Sequence, residues 1–165
     1  MKEISAGIMV YRTKGNTLEV LLGKNGGPRW ASREVGAWNI PKGHVEEDEE
    51  LIEGAIREFK EETSLEIPNN YKETLKYLGV NRTNTGKYVH IFAFEYDYNP
   101  SGYEVHITSN MCDTEWPPKS GKIIQVPELC KAYYWKKDVA ERMIFPYQKS
   151  FIKKLFDILK EEHQI

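Results

Sequence analysis

Three glutamates, Glu58, Glu61 and Glu62, fall in a segment that reads as a helix over residues 49–63. At about 100° per residue, Glu61 lies near 300°, Glu58 at zero and Glu62 near 40°, so the three carboxylates share one edge. Leu51, Ile52, Ala55, Ile56 and Phe59 fall between about 20° and 160° and form the stripe that packs inward. Glu62 therefore projects into the flank of an apolar face, where an unpaired carboxylate is costly to desolvate. Glu58 meets like charges at i+3 and i+4, each opposing the helix by about 0.2–0.5 kcal/mol. A solvated acidic face accounts for Glu50 and Glu53 but not for Glu62. A cation among the three relieves both costs, and oxygen-only ligands favour Mg²⁺ or Mn²⁺ over zinc. On this geometry Arg57, about 100° from Glu58, is not the obvious partner. Gly54, near 320°, costs about 1 kcal/mol relative to alanine and is expected to leave room for a ligand beside the carboxylates.

The elements that must position this edge are legible as patterns. Residues 4–11 and 18–22 are β-branched, apolar runs around Lys14-Gly15-Asn16, a hairpin signature. Residues 23–36 carry Gly26, Gly27 and Pro28 and read as a loop; 37–40 read as a short strand ending at Pro41. Strands are expected over 75–82 and 88–96 with a turn at 84–86. Residues 99–122, rich in Pro, Gly, Ser and Thr, are expected as a long loop holding one short strand. A strand over 132–135 and a short helix over 137–143 follow. Phe151, Ile152, Leu155, Phe156 and Leu159 mark an amphipathic helix within 147–162. Strands interleaved with helices predict an α/β (α+β) class, a mixed sheet covered on both faces, in one domain over 1–165.

Gly43, Glu49, Arg57-Glu58-Phe59-Lys60-Glu61-Glu62 and Leu65 resemble the Nudix box, G-x5-E-x7-R-E-U-x-E-E-x-G-U with U apolar. Every position fits but one: Ser64 stands where the family has glycine, and a serine at positive φ there is strained. The resemblance implies a Nudix-like α/β/α sandwich and a hydrolase that splits a phosphoanhydride bond in a nucleoside diphosphate linked to another moiety. It implies Glu58, Glu61 and Glu62 as metal ligands, with the Gly43 carbonyl as a further one, and Arg57 paired with Glu49 to brace the loop against the helix. In this family the general base is a box glutamate or one from a distant loop; here Glu61 is the first choice and Glu115 the second. No GxSxG or Cys/His signature suggests a covalent nucleophile.

The substrate is less defined. Trp38 and Pro41-Lys42-Gly43-His44-Val45-Glu46 are similar to the corresponding stretch of diadenosine tetraphosphate hydrolases. Gly26-Gly27-Pro28-x-Trp30 and Glu115-Trp116-Pro117-Pro118-x-Ser120-Gly121 look like a bacterial Nudix subgroup of poorly defined specificity. Lys42 and His44 are expected to meet phosphate, and Tyr88, Tyr77 or Trp30 to stack on a base. The tyrosine that marks dinucleoside polyphosphate hydrolases is not at its usual spacing. Pyrophosphohydrolysis of nucleoside triphosphates or RNA 5′ ends, and nucleotide sensing without cleavage, are the rival readings. A net charge of -2 over 165 residues recruits neither nucleic acid nor membrane. Two cysteines without metal spacing and no long apolar run are read as a cytoplasmic protein. A monomer or homodimer is expected, and nothing in the sequence chooses between them.

Overall fold

The structure is a computed structural model and describes residues 3–165. The chain runs β1 (Ile4–Lys14), β2 (Thr17–Asn25), β3 (Trp38–Asn39), β4 (Lys42–His44), α1 (Leu51–Thr63), a 3-10 turn (Asn69–Thr74), β5 (Lys76–Arg82) and β6 (Tyr88–Glu95). It continues through β7 (Glu104–Val105), β8 (Met111–Glu115), β9 (Ile123–Pro127), β10 (Leu129–Lys136), α2 (Lys137–Met143), a second 3-10 turn (Pro146–Gln148) and α3 (Lys149–Glu161). The main sheet has the order β5-β6-β1-β2-β10-β7, with β4 beside β1 and β3 beside β2; β8 and β9 pair separately. Only β1 and β6 run parallel among these pairs, so the sheet is mixed.

The sheet forks. The far half of β1 pairs with β2, Tyr11 opposite Val20, while its first half pairs with β4, Ser5 opposite His44 and Gly7 opposite Lys42. A side chain on Gly7 would overlap the Pro41 carbonyl and Lys42, so β4 approaches β1 this closely only over glycine. Helices cover both faces, as the alternation of patterns predicts. One layer buries Met9, Val20, Leu22, Val89 and Ile91 under Phe151, Ile152, Leu155 and Leu159 of α3. The other buries Ile8, Val10, Leu21 and Phe94 under Ala55 and Phe59 of α1. Among the described residues no helix is long and apolar enough to cross a membrane.

Several boundaries differ from expectation. β1 runs three residues further because its pairing with β2 continues to the turn at Gly15, whose φ is 62°, and β2 runs on to Asn25 because β3 and β10 pair with it there. Pro41 does not end the sheet: its carbonyl accepts from Ile8 N at 3.1 Å and β4 begins directly after it. Proline removes a donor but keeps its acceptor. Residues 99–122 contain β7, β8 and the turn into β9 rather than one short strand, and the turn at Asn69–Thr74 was not foreseen.

Buried polar ties lock the layers. Arg12, 3% exposed, donates to Glu19 at 2.7 Å, Asp97 at 2.8 Å and the carbonyls of Asn99 and Gly102, with its guanidinium 3.9 Å from the Tyr134 ring. Gln148 receives Ile40 N and donates to Asn39, pinning α3 to the segment before β4.

Candidate active site

α1 packs through Ala55 and Phe59, and this fixes where its acidic edge points. Glu58 leans onto the backbone of β4: a Cβ on Gly43 would overlap its carboxylate. Glycine is required there because the carboxylate occupies the volume of a side chain. Glu62 is 6% exposed and accepts from the backbone N–H of Lys42. Burial pushes its carboxyl up to about 8, opposed by the charge of Lys42 and reinforced by Glu128 and Glu58. Burial also raises Glu58, against the pull of Arg57.

Arg57 braces the loop, and it does more than helical angles predict. It grips Glu49 through two bonds of 2.8 and 2.9 Å and reaches the His44 carbonyl at 2.8 Å. Hydrogen bonds from Arg57 hold the Glu49 carboxyl down at about 2. The same guanidinium donates to Glu58 at 2.9 Å and Glu61 at 3.2 Å. The expectation that Arg57 would miss Glu58 fails because the long stem folds toward Glu49 and swings the fork across the acidic edge. Glu61 is nearly half exposed and turns to Arg57. Gly54 leaves no space for a ligand: a Cβ there would lie 3.0 Å from Glu49 Oε1 and 3.1 Å from Val45, so this glycine admits the preceding loop.

Ser64 sits at φ 60°, ψ 16°, the left-handed position that closes α1. Its Oγ donates to the Thr108 carbonyl at 2.6 Å. The chain then returns past the helix end, where Thr108 N meets Thr63 O and Asn110 N meets Glu61 O, and enters β8. This return brings in a residue the sequence did not mark. Glu128 N donates to the Asn110 carbonyl, and the exposed Glu128 side chain lies close enough to raise both Glu58 and Glu62. Glu115, the expected alternative base, is elsewhere. It is in the last pair at the tip of β8–β9, roughly 13 Å of strand from the root. There its carboxylate accepts the backbone N–H groups of Lys119 and Gly121. The box spacing says nothing about Glu128; only its place directly before β10, beside the helix end, selects it.

Lys42 and His44 line a cleft of about 430 Å³ with Ser5, Thr83, Lys87 and Tyr147. Tyr88 does not join them. Val89 lines the cleft, so Tyr88 next to it points to the opposite face, where Arg82 lies 5.8 Å from its ring. The aromatic ring in the cleft is Tyr147, which the sequence placed only at the start of a helix.

Among the described residues no three His, Cys, Asp or Glu side chains converge as a preformed metal site, since Arg57 holds Glu61 and one oxygen of Glu58. The donors nonetheless suit a hard divalent ion. They are all oxygen, the Glu62 carboxylate is buried, and the half-buried Glu58 is seated against the Gly43 backbone.

A family model described as NUDIX domain matches residues 1–121, well over half the chain. The chain belongs to the Nudix family. Among curated relatives of this Nudix chain, the asymmetrical bis(5′-nucleosyl)-tetraphosphatase of Caenorhabditis elegans is 35% identical over 89 residues. That match covers 51% of this chain and 60% of the relative, so the chain spans less than two thirds of that relative's length. An uncharacterized 17.7 kDa protein from the e-segB intergenic region of Enterobacteria phage T4 is 30% identical over 131 residues, 78% of this chain and 79% of the other. Among solved structures, a C. elegans Ap4A hydrolase binary complex aligns with a TM-score of 0.62 at 20% identity, covering 96% of this chain and 98% of that one. The NUDIX domain of Shewanella oneidensis NrtR complexed with ADP ribose aligns with a TM-score of 0.62 at 14% identity, covering 96% and 89%. At these identities the two structures bear on the Nudix fold alone.

Proposed function

We propose that this Nudix protein hydrolyses a phosphoanhydride bond in a nucleoside diphosphate linked to another moiety, with Mg²⁺ or Mn²⁺, and that dinucleoside polyphosphates are its substrate class. The observation that carries the reading is the adjacency of two opposite fields. Glu58, Glu62 and Glu128 lie within electrostatic reach of one another beside β4, and Lys42, His44 and Lys87, the last paired with Glu3, line the adjoining cleft. A divalent ion held there by Glu58, Glu62 and the Gly43 carbonyl, with Glu61 once released by Arg57, would neutralise phosphate charge and acidify an attacking water.

The chain's own residues divide the remaining work. Lys42 and Lys87 bind phosphate oxygens as point charges. Tyr147 offers a ring to one base. Arg57 keeps Glu49 and the β4 carbonyl fixed relative to α1, which holds the attack geometry. Glu128, exposed and within electrostatic reach of Glu58 and Glu62, takes the proton from water. It displaces Glu61 and Glu115 as the base in this reading. The sequence relationship to the C. elegans tetraphosphatase supports the substrate class. The test is product analysis with Mg²⁺ on diadenosine polyphosphates, nucleoside triphosphates, nucleotide sugars and triphosphorylated RNA. Preferred turnover of the first group supports the proposal; turnover confined to another group changes the substrate class. No turnover of any member turns the reading to a nucleotide sensor.

A further inference from the structure

A second cavity lies on the other side of the carboxylates. It measures about 180 Å³ and is lined by the 26–30 loop on one wall and by β8, β9 and Glu128 on the other. The order of strands fixes its position. The Lys42 cleft opens at the ends of β5, β6 and β1; this pocket opens where β2 ends and β10 begins. Glu62 feels Lys42 from the first and Glu128 from the second. The carboxylates are therefore flanked by two cavities.

The pocket is built by the fold. Gly26 N donates to the Glu128 carbonyl at 3.1 Å, and a Cβ on Gly26 would overlap the Pro127 carbonyl. Gly27 has φ 90° and would place a Cβ 3.1 Å from Val126. Two glycines thus let the loop press against β9 at van der Waals distance. The turn closes with Trp30 N on the Gly27 carbonyl at 3.2 Å, which presents Arg29 and Trp30 to the cavity. Pro28, Val126 and Pro127 supply apolar walls, and Asp113 and Thr114 supply polar groups on the hairpin side. Flat apolar walls, an indole and a few hydrogen-bonding groups fit a heteroaromatic ring. The volume is below the roughly 300 Å³ at which pockets take whole drug-sized ligands, so it suits one ring system.

We infer that this pocket receives the second nucleobase of a two-ended substrate, with Trp30 as its stacking surface. The inference rests on the substrate class proposed above. It assigns a role to the Gly26-Gly27-Pro28-x-Trp30 segment and to the hairpin, which the box chemistry does not use.

The experiment compares kcat/KM for diadenosine tetraphosphate with that for adenosine tetraphosphate, which lacks the second base, in wild type, Trp30→Ala and Thr114→Trp. Thr114→Trp fills the cavity from the hairpin and leaves the core packing of Trp30 intact. Each variant is expected to lower the ratio of the two constants tenfold or more, through KM of the dinucleotide, on the scale of losing one base–aromatic stack. An unchanged ratio in the folded Thr114→Trp protein overturns the inference while leaving the hydrolase reading standing. If wild type cleaves neither compound, both fall together.

Discussion

At the scale of single residues, the informative side chains are those whose burial conflicts with their charge. Glu62 is an acid in a nearly closed site, and its substitution separates two effects. We expect Glu62→Gln to lower Mg²⁺-dependent turnover by at least about 100-fold. In EDTA above pH 8, where the wild-type carboxylate is charged, the same variant should melt at least about 3 °C higher, since roughly 1 kcal/mol moves a protein of this size by 2–4 °C. Added Mg²⁺ should raise the melting temperature of wild type and not of the variant; an equal rise in both removes Glu62 from the metal site. A second prediction concerns the base. Glu128→Gln should lower kcat by about 10²-fold or more with KM little changed, while Glu115→Gln stays within about twofold of wild type. The reverse ranking in steady-state assays would return the role to the hairpin tip. The box glutamates were readable from helical spacing, because 3.6-residue periodicity fixes angles within one helix. Glu128 was not, since it meets the box only through the return of the chain past Thr108 and Asn110.

At the scale of elements, the end of α1 shows how a departure from a family pattern is accommodated. Ser64 takes the left-handed conformation that glycine adopts without strain, at about 1–2 kcal/mol against it. Its hydroxyl recovers about 1 kcal/mol by meeting the Thr108 carbonyl. Ser64→Gly should therefore change stability by less than about 1 kcal/mol, the relief of strain offsetting the lost bond. Ser64→Ala keeps the strain and loses the bond, so it should cost about 1 kcal/mol by urea denaturation. A larger loss in the glycine variant than in the alanine variant would mean that strain at this cap is negligible. Helix α1 and the first hairpin were legible because their patterns are local. β4 was hidden by Pro41, which reads as a stop although its carbonyl still pairs. β8 and β9 were hidden by composition: Met111-Cys112-Asp113-Thr114-Glu115 lacks the apolar alternation of a half-buried strand, because this hairpin has little core beneath it.

At the scale of the molecule, two apolar layers clasp one forked sheet, and Arg12 joins the distant parts. Its pair with Glu19 is fully enclosed, and its other bonds reach the segment between β6 and β7. Removing one partner of a buried pair strands the other, at about 3–5 kcal/mol. Arg12→Met should therefore lower the urea midpoint strongly, and a shift below about 1 kcal/mol would mean that Glu19 finds solvent or another partner. A mixed sheet covered on both faces followed from interleaved patterns, but the role of Arg12 did not, because burial of a charge depends on partners 85 to 90 residues away. The β8–β9 hairpin stands apart from this clasp. Its backbone ties to the body are at its root, through Asn110, Gly26 and Glu128, and Met111 and Ile123 remain more than half exposed. Such an appendage is a removable cassette: transplanting a different hairpin between residues 110 and 128 would retune what the enzyme accepts while the scaffold and its carboxylates stay as they are.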